Sequence, residues 1–221
     1  GWYSYLAQRI GGVDLYNEVC SGDKNFTEDA YVQAGEEIKA LAKKGFINGC
    51  MSVDATTAEA LFAAGKGAIL ITGSWSIPTF TEDPERAKDF SYFPFPVAEG
   101  GKEDEAGYLY GGVANTLAIS RSTKNKDAVV KFLKYMMSEE EQTLSVERTG
   151  TFSTVKVSPK EENMDPLAYQ FSQYVSDGVE GFIPYTDQAL PPEQAENLLN
   201  ALTAIVAEDN ADVKAELAKI K

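Results

Sequence analysis

Histidine is absent from all 221 residues. With it go the Ser-His and Cys-His nucleophile pairs, the commonest general base and the usual zinc ligand sets. The two cysteines, Cys20 and Cys50, are too few for a disulfide scaffold; they flank one expected helix, so a bridge between them is geometrically open. Carboxylates are plentiful, but Glu139-Glu140-Glu141 and Glu161-Glu162 read as charged surface runs. A facing pair of the glycosidase kind is the one catalytic arrangement left open. Asp23, Asn25 and Thr27 alternate as calcium ligands would, yet the central glycine and terminal glutamate of such a loop are missing, so a solvated turn is expected. Gly65-Lys66-Gly67 lacks the spacing and hydroxyl of a phosphate loop. The expectation is no metal, no cofactor and no catalysis.

What remains is aromatic chemistry. Trp2, Trp75, Tyr108, Tyr110 and Tyr185 lie at expected element ends or beside glycine. A flat apolar ring can cover the C–H face of a sugar while nearby carboxylates, amides and main-chain groups bond its hydroxyls. Core packing is the competing role for every aromatic, and for Trp2 the two weigh equally. Tyr92, Phe93 and Phe95 read as core. Trp75 stands apart because Gly73-Ser74 precedes it and Ser76 follows.

These rings need elements to hold them. Ala68–Thr72, apolar and bounded by glycines, reads as a buried strand of a parallel sheet ending in a sharp turn at Gly73, with Trp75 at its carboxyl end. Open α/β sheets bind ligands there. Residues 1–12 read as the tail of a helix stopped by Gly11-Gly12, which carries the expectation of chain upstream. Thr27 is expected to cap a helix with Tyr31, Ala34, Ile38 and Leu41 on one face and Gly45 at its end. Thr56-Thr57-Ala58-Glu59 reads as a capping box for a short helix. Residues 90–96 read as an extended edge, limited by Pro94 and Pro96. Two glycine-broken strand pieces follow over 108–120.

Later, Asn125 opens a helix with Val129, Phe132, Leu133 and Met136 at helical spacing, and Ser138-Glu139-Glu140-Glu141 is a second capping box. Asp165-Pro166 starts a helix that Gly178 stops. A helix after Pro191-Pro192 and a last amphipathic one around Val213, Leu217 and Ile220 complete a helix-rich α/β chain. The formal net charge of −14 argues against nucleic acid and anionic membrane surfaces, and no apolar run approaches a membrane span.

Three pieces, in order, resemble family 1 extracellular solute-binding proteins, the sugar-capturing subunits of bacterial ABC importers. They are Phe62-Ala63-Ala64-Gly65-Lys66-Gly67-Ala68-Ile69 running into Gly73-Ser74-Trp75, then Tyr110-Gly111-Gly112-Val113-Ala114-Asn115 before Leu117-Ala118-Ile119-Ser120. The third is Lys126-Asp127-Ala128-Val129-Val130-Lys131-Phe132-Leu133 leading to Met137-Ser138-Glu139-Glu140-Glu141-Gln142. The resemblance implies a periplasmic-binding-protein-like two-lobe α/β fold (type II), of which this chain holds mainly the second lobe. Residues 1–112 and 164–221 would form that lobe, and 113–163 a crossover belonging to the first lobe, whose remainder is missing.

It further implies that Trp75 is the cleft tryptophan, with Ser74 beside it, and that Gly111 and Gly112 form a ligand-contacting turn. Tyr185 and Asp187 would be the late contacts, Asp187-Gln188-Ala189-Leu190-Pro191 matching one subset of the family. The implied function is extracytoplasmic capture of a carbohydrate, expected to be an oligosaccharide, by a periplasmic protein or cell-surface lipoprotein that hands it to permease subunits. The alternatives are a stand-alone carbohydrate- or peptide-binding module and, third, a glycoside hydrolase. The apolar face of 125–148 is expected to fold back or to support self-association.

Overall fold

A computed structural model describes residues 1–112, 116–150 and 152–221. In chain order these form α1 (Trp2–Ser21), α2 (Asp29–Lys44), α3 (Ala55–Ala63), α4 (Ile77–Thr81), α5 (Pro84–Ala87) and β1 (Tyr108–Tyr110). Then follow α6 (Lys126–Met136), α7 (Glu139–Thr149), α8 (Pro166–Gly178), β2 (Gly181–Ile183), α9 (Thr186–Ala189), α10 (Pro192–Ala207) and α11 (Val213–Leu217). The chain divides into two compact units: Gly1–Ile71 with Phe93–Gly112 and Val179–Lys221, and Thr72–Tyr92 with Val113–Gly178.

The first unit is built on α1. Its helical path breaks at Gly12, where φ 86° and ψ 169° are open to glycine and strained for other residues. The helix does not stop there. The N–H of Val13 donates to Glu105 Oε2 at 3.1 Å, so a carboxylate from a distant loop caps the restarted helix and stands at its positive end. Gly11-Gly12 therefore makes a kink, because that cap removes the cost of breaking the ladder.

Tyr3, Ala7 and Val19 of α1 pack with Tyr31, Ala34 and Ile38 of α2, with Leu198, Ala201 and Ile205 of α10, and with Val213, Leu217 and Ile220 at the chain's end. The face expected on α2 is the face it buries. Gly35 leaves no room for a β-carbon beside Val213, which lets α2 and α11 approach closely. β1 and β2 pair in parallel, Tyr108 with Gly181, Leu109 with Phe182 and Tyr110 with Ile183. The connection from β1 to β2 carries α6, α7 and α8, the long crossover that parallel pairing requires.

The second unit gathers Ile77 of α4, Val146 of α7, Met164 and Ala168 of α8 into a small core with Val157, Leu167, Tyr169 and Phe171 packed on it. Its helix starts follow the sequence. Ser138 Oγ accepts from the N–H of Glu141 at 3.3 Å, and Asp165 Oδ1 accepts from Leu167 and Ala168 at 2.9 and 3.2 Å. The helix α6 buries no residue; Phe132 and Tyr135 on it are exposed.

Several expected elements differ. Residues 68–72 form no strand, and Ile69 is 59% exposed. Residues 116–120 are likewise not a strand, with Leu117 and Ile119 exposed; Val113, Ala114 and Asn115 of that expected piece lie outside the described residues. Residues 90–96 belong to no helix or strand. An apolar run supplies the side chains of a strand but not the second strand it must pair with, and the sheet of the described residues consists of β1 and β2. The cap of α3 is Asp54, accepting from Thr57 at 2.7 Å, two residues before Thr56. Asn25 rather than Thr27 organises the turn before α2, accepting from the Thr27 N–H at 2.9 Å. Cys20 and Cys50 are free thiols.

Among the described residues one buried hydroxyl lacks a partner, that of Tyr3, a residue 2% exposed. An unbonded phenol in a core forfeits its hydration without compensation. Tyr3→Phe should leave stability unchanged or raise it by about 1 kcal/mol, whereas Tyr16→Phe, which removes a 2.7 Å bond to the Pro184 carbonyl, should lower it by about 1 kcal/mol. Urea midpoints of the two variants check the contrast; a loss of stability in Tyr3→Phe would mean that its hydroxyl is bonded.

Burial also raises the phenols of Tyr3, Tyr16, Tyr31 and Tyr110 far above their ordinary range. The fold thus keeps protons that the unfolded chain releases, so their contribution is intact below about pH 10 and falls as pH rises beyond it. A urea midpoint that declines in alkali, with the tyrosinate absorbance of these four phenols appearing only on unfolding, is the expected result. Full phenol titration near pH 10 with the fold intact would contradict it.

Candidate ligand-binding site

Tyr110 is the hub of an aromatic cluster in the first unit. Its ring meets Tyr5 edge-on at 4.8 Å and Tyr16 at 6.0 Å, and it stacks on Tyr185 at 5.9 Å. Its hydroxyl donates to the Ser4 carbonyl at 2.9 Å, and its N–H donates to the Tyr5 hydroxyl at 3.1 Å. Tyr110 is itself buried and underlies Tyr185, which is half-buried with a phenol raised by desolvation and by Asp187. Thr186 Oγ1 donates to Ser4 Oγ at 3.0 Å, fixing the start of α9. Asp187 in its first turn is exposed.

Tyr108 is half-buried at the start of β1. Gly111 continues the strand pairing, its N–H donating to the Ile183 carbonyl at 2.9 Å. Gly112 is exposed with φ 141°, a conformation glycine alone adopts without strain. Trp2 is half-buried and packs against Phe46 at 5.7 Å and Phe95 at 5.8 Å. Of its two possible roles, core packing is the one this geometry supports.

Arg9 is the residue that sequence reasoning missed. Wholly buried, it donates to the carbonyls of Phe95 at 3.2 Å, Glu105 at 2.7 Å, Ala106 at 3.2 Å and Tyr108 at 3.1 Å. It also bonds Gln8 Oε1 and lies over the Tyr5 ring at 5.3 Å. Gln8 in turn donates to Glu105 Oε2 at 2.9 Å. The available signal was a charged residue among Tyr3, Tyr5, Leu6 and Ile10 on a helix, four positions after a tyrosine that it could cover.

Trp75 and Ser74 belong to the second unit. They form a single 3-10 turn, Ser74–Ser76, that leads into α4. Ser76 is buried, its hydroxyl paired with Thr72 Oγ1 at 2.7 Å, and its N–H donates to the Gly73 carbonyl at 3.1 Å. Between these anchors Ser74 is half-buried and Trp75 is 58% exposed. Gly73 has φ −105° and ψ 173°, extended geometry open to any residue. The turn therefore does not need glycine for its backbone.

Among the described residues no group of three or more His, Cys, Asp or Glu could hold a metal ion, and no helix is long and apolar enough to cross a membrane. Two surface hollows of the first unit, of about 350 and 410 Å³, are lined around Asp14, Glu18 and Lys24 and around Phe26, Leu217 and Ile220. Neither includes an aromatic residue expected in the site, so the exposed rings rather than these hollows define the candidate. Such rings can stack on an apolar ring face and leave polar edges to neighbouring hydroxyls and carboxylates.

Helices around a small parallel sheet, with aromatics at strand and turn ends, match solved proteins of periplasmic-binding-protein fold. One, described in work on xylan utilization by the thermophilic bacterium Caldanaerobius polysaccharolyticus, superimposes with TM-score 0.87 at 25% identity, covering 100% of this chain and 57% of that one. A chitin oligosaccharide binding protein shares the fold at TM-score 0.84 and 24% identity, over 99% of this chain and 54% of its own. The chain belongs to the family of bacterial extracellular solute-binding proteins, whose family model matches residues 1–143. A maltotriose-binding protein of Pyrococcus abyssi is 31% identical over 132 residues, 56% of this chain and 27% of that protein. The chain thus spans little more than half the length of the structures it matches.

Because Arg9 holds the main chain that carries Tyr108 and Tyr110, Arg9→Ala should take a donor from four half-buried carbonyls, of which that of Glu105 keeps Gln8 Nε2 at 3.3 Å, and lower stability by about 3 kcal/mol. Chemical denaturation measures this; a change under about 1 kcal/mol would show that water replaces the guanidinium at little cost.

Proposed function

We propose that this chain captures a carbohydrate, expected to be an oligosaccharide, outside the cytoplasm and delivers it to the permease of an ABC importer, without chemical turnover. The observation that carries this reading is the exposed indole of Trp75, set on a turn whose two ends are anchored. An aromatic of that size held in water at 58% exposure gains by stacking on an apolar ring face. Membership of an extracellular solute-binding family supports the location, and relatives whose names refer to maltotriose and chitin oligosaccharides support the ligand class.

In this reading Trp75 stacks on a sugar ring with Ser74 at its edge, and Tyr185, backed by Tyr110, offers a second plate. Tyr108, Asp187 and the main chain at Gly111 and Gly112 bond hydroxyls, and Trp2 contributes through packing. Residues 1–112 and 164–221 act as the second lobe and 113–163 as the part that crosses to the first. The apolar face of 125–148, exposed at Phe132 and Tyr135, is where a second copy could associate.

Calorimetry with maltotriose and with xylan- and chitin-derived oligosaccharides tests the reading. Saturable heat without sugar cleavage is expected, with Trp75→Ala weakening the tightest ligand about tenfold, or ~1.4 kcal/mol. Unchanged affinity in Trp75→Ala would remove the tryptophan from the site, and cleavage of any sugar would replace capture by hydrolysis.

A further inference from the structure

Glycines in this chain answer to two different constraints. At Gly12, Gly22, Gly49, Gly65, Gly100, Gly112 and Gly150 the backbone has positive φ, and conformation alone accounts for the residue. Gly73 is not of that kind: its φ of −105° is ordinary extended backbone. It is nevertheless closed to any side chain. A β-carbon there would fall far inside van der Waals contact with Cζ3, Cε3 and Cη2 of Trp75. Atoms of the indole's six-membered ring occupy the place that a side chain at residue 73 would take.

We propose that Gly73 is a positioning residue that seats the Trp75 indole against the backbone and so fixes the orientation in which its free face meets a ligand. This rests on the reading of Trp75 as a stacking plate and adds what holds the plate. An exposed tryptophan would otherwise sample several rotamers, and binding would have to order it. With one face covering Gly73, that ordering is complete before ligand arrives, and only the opposite face is open. The turn beneath is itself fixed by the Ser76 N–H on the Gly73 carbonyl and by the Thr72–Ser76 hydroxyl pair.

The first unit repeats the device in milder form. A β-carbon at Gly181 would meet the Tyr108 ring at 3.0 Å, and one at Gly111 would meet Phe182 at 3.0 Å. These distances call for a small shift of the ring. At Gly73 the overlap involves three ring atoms at once, so the indole must leave its seat.

The test separates the seat from its use. With Trp2→Phe as background, Trp75 is the sole tryptophan, and its fluorescence reports the seat with no ligand present. Gly73→Ala should red-shift its emission, lower its anisotropy and raise its quenching by iodide, while far-ultraviolet circular dichroism stays unchanged. In the otherwise wild-type chain, Gly73→Ala should weaken the tightest sugar of the calorimetric panel about fivefold by restoring the ordering cost. Adding Gly73→Ala to Trp75→Ala should change affinity no further, because both substitutions act through one ring.

Unaltered Trp75 emission and quenching in Gly73→Ala overturns the inference, and so does an equal further loss of affinity in the Trp75→Ala background. Should Gly73→Ala fail to fold, the Gly73→Ala/Trp75→Ala double variant decides: folding of the double variant supports the seat, and its failure shows that glycine serves the backbone. If wild type binds no sugar of the panel, or Trp75→Ala binds as wild type does, the stacking reading fails, and the fluorescence result alone judges Gly73.

Discussion

The guanidinium of Arg9, removed from water, donates to main-chain oxygens of Phe95, Glu105, Ala106 and Tyr108, and with that one charge fastens three stretches of chain to the first helix. Burying a cation is costly unless its donors are met. Here the donors are met by half-buried main-chain carbonyls, of which that of Glu105 also accepts from Gln8 Nε2 at 3.3 Å. The same loop returns a carboxylate, Glu105, to Gln8 and to the restarted helix at Val13. The kink at Gly12, the approach of β1 and the nesting of Tyr110 against Tyr5 all depend on this exchange between helix and loop.

From that base the aromatic cluster takes its order. Tyr110 is locked at both its hydroxyl and its N–H and therefore acts as a foundation for Tyr185. The second unit uses a different device, a short turn clamped at Thr72 and Ser76 whose indole fills the place of a side chain at Gly73. In both units an aromatic face is made available by fixing what lies behind it. In the proposed reading this suits capture, where affinity depends on how little must be ordered on binding.

The chain's membership in the extracellular solute-binding family rests on a family model that matches residues 1–143. The likeness in fold holds over the whole chain at TM-score 0.87, although β1 and β2 are only three residues each. Helix packing around Ala34, Leu198, Ala201 and Ile205 carries the first unit, and the small sheet serves mainly to place Tyr108, Tyr110 and Phe182.

The sequence by itself determined what is local or periodic. It gave the helix starts at Ser138, Asp165 and Pro192, the buried face of α2, the family through its ordered motifs, and the exposed tryptophan between polar neighbours. Those follow from capping chemistry and helical spacing, which need no distant residue. Only the tertiary structure decided whether an apolar run becomes a strand, since a strand exists through the strand beside it, and Ala68–Thr72 forms none. It decided that Gly11-Gly12 kinks a helix instead of ending it, because the cap comes from Glu105, 92 positions away from Val13. It gave Arg9 its role through acceptors 86 to 99 positions distant. And it changed the reason for Gly73 from backbone freedom to space, because the group that occupies the missing side chain's place is a ring whose position no spacing rule specifies.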